Sequence, residues 1–173
     1  MTTEVAQYAD SLYGINQLPL SFADRYNIRH LLMNNTEWVK GDQSDFQSKR
    51  SLWKTVYKNK ADFLQVNEKD FFLSINPVLQ FQQSKENDNG QRIFLNTRGI
   101  TIRGLIAERI GFYTYLTENL ERTPLFVQDR IGAFRAVPGN GRYNEYKVSG
   151  VDYSDARGGI TFNAAKYIDF QFA

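Results

Sequence analysis

Between Phe71 and Phe81 the chain alternates apolar and polar residues without a break. Phe71, Leu73, Ile75, Pro77, Leu79 and Phe81 fall on one side, and Phe72, Ser74, Asn76, Val78, Gln80 and Gln82 on the other. A period of two is an extended strand with one oily face and one mostly wet face. The run is about ten residues long, where a typical globular strand has five or six. Similar runs follow, joined by loops that are alternately long and short. A transmembrane β-barrel reads in this way.

Strand one is predicted at about 69–83 and ends in Ser84-Lys85-Glu86-Asn87-Asp88-Asn89-Gly90, a string of turn formers. Strand two runs from about 91 to 105. Its apolar residues are Ile93 and Leu95, then Ile100 and Ile102, so the phase slips by one at Gly99, which reads as a β-bulge. With that slip, Arg92, Asn96, Arg98, Thr101 and Arg103 share the opposite face. A tight turn at 107–109 leads to strand three, about 110–118, with Ile110, Phe112 and Leu116 against Gly111, Tyr113, Tyr115 and Thr117. A long polar stretch, 119–157, precedes strand four at 158–163. A second tight turn at 164–166 leads to strand five at 168–172.

Outer-membrane barrels have short periplasmic turns and long outer loops. If the N-terminal arm is periplasmic, 84–90 and 119–157 lie outside, and 107–109 and 164–166 lie in the periplasm. A soluble meander has no reason to sort its loops like this. The expected fold is mainly β: antiparallel up-and-down strands of a partial transmembrane β-barrel, preceded by an N-terminal helical segment. Residues 1–66 form the arm and 67–173 the first five strands, with 119–157 as the long outer loop.

Within the arm, Asp24 to Asn34 shows a weak helical pattern. About 42–60 reads more strongly as an amphipathic helix. Asp42 or Ser44 caps it, and Phe46, Trp53, Val56 and Tyr57 share a face among Lys49, Arg50, Lys54 and Lys58. The basic flank suits an anionic membrane surface. The plainer alternative is an aromatic stripe packed on the rest of the protein.

Composition narrows the chemistry. The 173 residues include no cysteine, one histidine and a net charge of +2, so no thiolate metal site, multi-histidine metal site or basic nucleic-acid surface is implied. His30, beside Leu31 and Leu32, reads as structural. No stretch approaches the roughly 18 apolar residues of a membrane helix. A mean hydropathy of −0.50 still suits a barrel, because barrel strands alternate. Residues 1–14 contain no basic segment followed by an apolar one. An outer-membrane protein needs an export signal, so either the start lies upstream or the membrane reading is wrong. Pro138-Gly139-Asn140-Gly141-Arg142 lacks the Gly-Lys-Ser/Thr ending of a phosphate loop. Asp152 and Asp155 match no full calcium loop. Glu108 and Glu118 form no obvious catalytic pair, and no serine sits in a nucleophile elbow. The residues give no catalytic, metal or cofactor site.

The candidate ligand-binding set is a lumenal face of Arg92, Asn96, Arg98 and Arg103 with Tyr113 and Tyr115. Guanidinium forks suit carboxylates and phosphates, so this face fits an acidic polysaccharide. The alternative is that the arginines pair with acidic side chains on neighbouring strands.

Four blocks carry a family resemblance: Phe71-Phe72-Leu73-Ser74-Ile75-Asn76-Pro77-Val78-Leu79, Asn96-Thr97-Arg98-Gly99-Ile100-Thr101-Ile102-Arg103-Gly104, Gly111-Phe112-Tyr113-Thr114-Tyr115-Leu116-Thr117-Glu118-Asn119 and Ala156-Arg157-Gly158-Gly159-Ile160-Thr161-Phe162. Over about 62–173 the chain resembles the front part of Bacteroidetes outer-membrane proteins related to the capsule assembly Wzi family and to gliding-motility RemB-like proteins. The resemblance implies an outer-membrane barrel with a periplasmic helical segment and a non-enzymatic, lectin-like role in attaching capsular polysaccharide. It brings no catalytic residue and matches no sugar-binding residue by position. The partners implied are outer-membrane lipid, acidic polysaccharide and other surface-assembly proteins. Five strands cannot close a membrane barrel, since the smallest have about eight, so the chain is expected to be the N-terminal part of a longer one, with an unpaired sheet edge. Three rival readings remain: a soluble β-rich small-molecule or carbohydrate-binding module, a gliding-motility or other surface-machinery component, and a barrel enzyme whose catalytic residues lie downstream. Burial separates the first from a barrel. Leu73, Ile75, Leu79, Ile93, Leu95, Ile168 and Phe170 face lipid in a barrel and a core in a soluble module.

Overall fold

The computed structural model describes residues 20–39, 42–49, 56–87, 89–165 and 168–173. They form an open, mainly antiparallel sheet of seven strands with short helices. The chain divides into two compact units.

The N-terminal unit, residues 1–75 with 104–108, starts its described part at helix α1, Phe22–Met33. Ser21 caps the helix: its Oγ accepts from the Asp24 N–H at 3.1 Å, and Asp24 Oδ2 accepts from the Ser21 N–H at 3.1 Å. This reciprocal box satisfies donors that a helix start leaves open. Leu32, on the buried side, packs with Val39 and Phe46, flanked by Ile28, Leu31 and Met33. The His30 ring lies tilted against Tyr26 one turn earlier, with ring centroids 4.3 Å apart.

The expected helix over 42–60 is not formed in the described residues. Its start is a single 3-10 turn, Ser44–Phe46, where the Asp42 carboxylate accepts from the Ser44 N–H at 2.9 Å. That bond, with a second from the Ser44 hydroxyl, holds the Asp42 carboxyl below the usual carboxylate range. The chain then doubles back. Gln47 bridges Asn59, the Ser48 N–H donates to the Lys58 carbonyl at 2.8 Å, and Val56 bridges Leu64. Tyr57 has a φ of 54°, which a right-handed helix cannot contain. Phe46 and Val56 are buried, as the apolar stripe required, but in a folded-back segment. Trp53 lies outside the described residues.

Strand β1, Leu64–Glu68, pairs antiparallel with the start of β2, Phe71–Ser84, across the two-residue turn Lys69-Asp70. The sequence reading missed β1, a short and mostly polar strand. Beneath this hairpin lies a buried polar group. Ser74 Oγ donates to Asp62 Oδ1 at 2.5 Å, and Asn59 Nδ2 donates to Asp62 Oδ2 at 3.3 Å.

The second unit, 76–103 with 109–173, holds most of the sheet. Its strands are the rest of β2, β3 (Ile93–Ile106), β4 (Ile110–Arg122), β5 (Asn144–Tyr146), β6 (Gly150–Ala165) and β7 (Ile168–Phe172). The sheet order is β1-β2-β3-β4-β6-β5, with β7 also on β6. The four long strands have 13 to 16 residues each.

Two boundaries differ from expectation. β4 runs to Arg122, and β6 begins at Gly150, eight residues before the predicted start at 158. The stretch 150–157 has no apolar alternation to reveal it; pairing with β4 makes it a strand, from Glu121↔Val151 to Tyr115↔Arg157. The long outer loop therefore shortens and contains helix α2, Leu125–Phe134, and the β5 hairpin. Ile131 of α2 packs with Val137 and Val151.

The 84–90 loop and the segment that follows β4 meet at one end of the sheet. Glu86, in the 84–90 loop, accepts from the Leu125 N–H at the start of α2 at 3.0 Å. Ser149 bonds Gln91 at the same end. At the other end the Asn163 N–H of β6 donates to the Arg109 carbonyl at 2.9 Å. Ala107 and Glu108 make the 107–109 turn with left-handed φ values of 51° and 53°.

Candidate functional site

The register of β4, β6 and β7 assigns their faces. Alternation along β4 places Ile110, Phe112, Leu116 and Glu118 on one face and Tyr113, Tyr115, Thr117 and Asn119 on the other. Cross-strand partners share a face, so Ala156, Ile160 and Phe162 of β6 join the first, and Phe170 and Phe172 follow from β7. The second face receives Tyr153, Asp155 and Arg157.

The first face is apolar and open: Ile160 is 52% exposed, Phe170 50% and Phe172 68%. Leu79 and Phe81 of β2 are also exposed. On the second face, polar groups bond each other. Thr97 Oγ1 donates to Asn119 Oδ1 at 2.7 Å, and the Tyr153 hydroxyl donates to Glu121 Oε2 at 2.9 Å. Arg157 pairs with Asp155 at 2.7 Å.

The six sequence-predicted ligand residues do not gather on one face. Arg98 pairs with Glu118, Nη2 to Oε2 at 2.9 Å, and Glu118 belongs to the apolar side of β4. Arg122, two pairs along β4 from Glu118, stacks on Phe94 at 5.4 Å, which confirms the side. Asn96 lies between Phe94 and Arg98 in the alternation and is exposed there. Tyr113 and Tyr115 sit on the opposite, polar face. Arg92 precedes β3, is exposed, and its carbonyl accepts from Arg122 Nη1 at 3.3 Å. Arg103 is half-buried, with its Nε out of solvent. Ile93 and Leu95 share the side of Thr97, the polar face, and do not join Ile168 and Phe170 as expected. The Arg98–Glu118 pair matches the alternative that arginines neutralise neighbouring acids. Both side chains are more than half exposed, so the pair is worth at most about 1 kcal/mol.

Gly99 has a steric role. An added Cβ would stand 2.1 Å from the Leu116 carbonyl oxygen and 2.8 Å from Thr117 Cα. The backbones of β3 and β4 approach too closely there for any side chain.

The structure assembles a different constellation at the long-loop end. Arg98, Arg135 and Arg142 line a cleft of about 660 Å³ with Glu118, Asp152 and Tyr143. Arg135 follows α2 with a φ of 50°, and Arg142 follows the turn that bridges Val137 to Gly141. Three guanidinium groups face two carboxylates, which suits an anionic ligand. Sequence reading missed Arg135 and Arg142 because they lie in irregular segments, where no periodicity tells which strand ends they approach. In the N-terminal unit a cleft of about 500 Å³ is lined by Thr36, Gln43 and Gln65, but these groups already bond each other or the backbone. Among the described residues no group of three or more acidic, histidine or cysteine side chains is placed to hold a metal. No helix among them is long and apolar enough to cross a membrane. No family model, curated protein or solved structure matches this chain.

Proposed function

We infer that the chain forms the N-terminal wall of an outer-membrane β-barrel that acts without catalysis in cell-surface assembly, attaching capsular or other extracellular polysaccharide. One observation carries the barrel reading: the β4–β6–β7 face with Ile160, Phe162, Phe170 and Phe172 is apolar and uncovered. Leaving such side chains in water forfeits about 25 cal/mol per Å². Lipid accepts them at no such cost, while the bonded polar residues of the other face suit a lumen. A soluble module places Ile168 and Phe170 in a core; here they are 52% and 50% exposed.

Strand length supports the same reading. The 13 residues of β4 span about 41 Å at 3.4 Å per residue, enough to cross a hydrocarbon core of about 30 Å at a tilt near 40°. In lipid an unpaired strand edge costs several kcal/mol per group, so this reading requires further strands to join β1 to the opposite edge. The attachment role rests on the family resemblance.

The chain has no native cysteine, so each introduced one is unique. The polypeptide carrying this chain is folded into vesicles with a fluorophore at Ile160→Cys, Phe170→Cys, Thr161→Cys or Gln171→Cys. Bromine on the lipid tails should quench the label at 160 and 170 far more than at 161 and 171. Equal quenching overturns the barrel wall. The same vesicles should retain hyaluronan as an acidic polysaccharide probe; vesicles that retain none overturn the attachment role.

A further inference from the structure

The apolar face of β4 and β6 becomes charged at one end without changing sides. Leu116 pairs with Ala156, and two residues further along the same face Glu118 pairs with Ser154. Glu118 and Ser154 line the cleft that also holds Arg98, Arg135, Arg142 and Asp152. The apolar strip and the cationic cleft are therefore continuous along the same two strands.

Charge within the cleft is unbalanced. Arg98 is matched by Glu118 at 2.9 Å. Arg135 and Arg142 are exposed and make no ion pair among the described residues. Two guanidinium groups thus face the single remaining carboxylate, Asp152. Arginine forks bind phosphate oxygens bidentately and are less strongly hydrated than lysine. A soluble acidic sugar makes no use of the apolar strip below the cleft. An amphiphile with a phosphate head and acyl tails uses both.

We propose that this cleft binds the phosphate headgroup of an anionic lipid from the surrounding leaflet, with its acyl chains along Leu116 and Ile160. The inference rests on the barrel-wall reading, because the strip must face lipid for a tail to lie on it. Arg135 and Arg142 hold the phosphate, and the Arg98–Glu118 pair borders the head.

The test uses the polypeptide carrying this chain in neutral detergent, with lipid retention read by native mass spectrometry. Dioleoylphosphatidic acid is the probe. Inorganic phosphate supplies the head without tails, and dioleoylglycerol the tails without the head. The phosphatidic acid should bind about tenfold or more tighter than either control, and Arg135→Gln with Arg142→Gln should weaken it about tenfold or more. The single variant Arg142→Gln, checked for unchanged strand circular dichroism, should give an intermediate loss. Unchanged affinity in the double variant overturns the site. Inorganic phosphate binding as tightly overturns the lipid assignment, and dioleoylglycerol binding as tightly overturns the role of the arginines. Lipid quenching at Phe170→Cys separates the two levels. A quenched label with an indifferent arginine variant removes this site alone. An unquenched label removes the barrel wall and this site with it.

Discussion

The N-terminal unit and the strand unit treat their large apolar side chains in opposite ways. In the first, Leu32 is fully buried and Phe46 is 2% exposed. In the second, Ile131, Val137 and Val151 make one small cluster, while Phe162, Phe170 and Phe172 are left open on a whole face of the sheet. The first gathers a core around Leu32 and Phe46, although Phe22 of α1 stays exposed, and its buried polar groups such as Ser74 and Asp62 are bonded. The second exposes apolar surface of a kind that marks a contact with lipid or with another protein. A period-two pattern shows that a strand has an oily side. It does not say whether that side meets a core.

The contrast is sharpened first by Phe46→Ala. Removing a buried ring should cost the N-terminal unit about 3–5 kcal/mol, read as faster hydrogen exchange at the α1 amides. A loss below 1 kcal/mol would mean that this core is not packed as described. The matching change in the strand unit is Gly99→Ala. The methyl group meets the β4 backbone, so the strands must move apart, at about 1–3 kcal/mol. Exchange should quicken at the amides that join β3 and β4; unaltered exchange would break the claim of close approach.

The smallest effect belongs to the α1 cap. Ser21→Ala should cost about 1 kcal/mol, read as lost helical circular dichroism on heating. The bond from the Ser21 hydroxyl, then that from its backbone N–H, hold the Asp24 carboxyl below the usual carboxylate range. The folded state therefore favours the ionised form. The cap's contribution is complete above the unfolded pKa, about 3.9, and is lost as pH falls through the lower folded value. In Asp24→Asn the helix should lose this acid sensitivity, and an unchanged acid profile would show that the carboxylate is not the group responsible.

Much of the strand order was legible. β2, β4 and β7 follow their alternation, because apolar residues recur along one side of each; β3 was found as a strand, but its broken alternation left its faces undecided. The turns 84–90 and 107–109 were marked by Asn, Asp and Gly or by chain reversal between such runs. The start of β6 was not legible, because Asp152, Tyr153, Ser154 and Asp155 offer no oily side and owe their conformation to β4. The segment 42–60 misled for the opposite reason. Phe46, Val56 and Tyr57 have helical spacing, but the bonds of Ser48 to Lys58 and the bridge of Gln47 to Asn59 came from a longer-range reversal.

The candidate site divides along the same line. Which residues of β4 and β7 share a face can be counted along the chain, since alternation is a property of each strand's own backbone. That Arg98 faces Glu118, away from Tyr113 and Tyr115, could not be counted in this way, because it depends on how β3 and β4 are set side by side. The tertiary structure alone brought Arg135 and Arg142 to the same cleft, since irregular segments carry no period from which a direction can be counted.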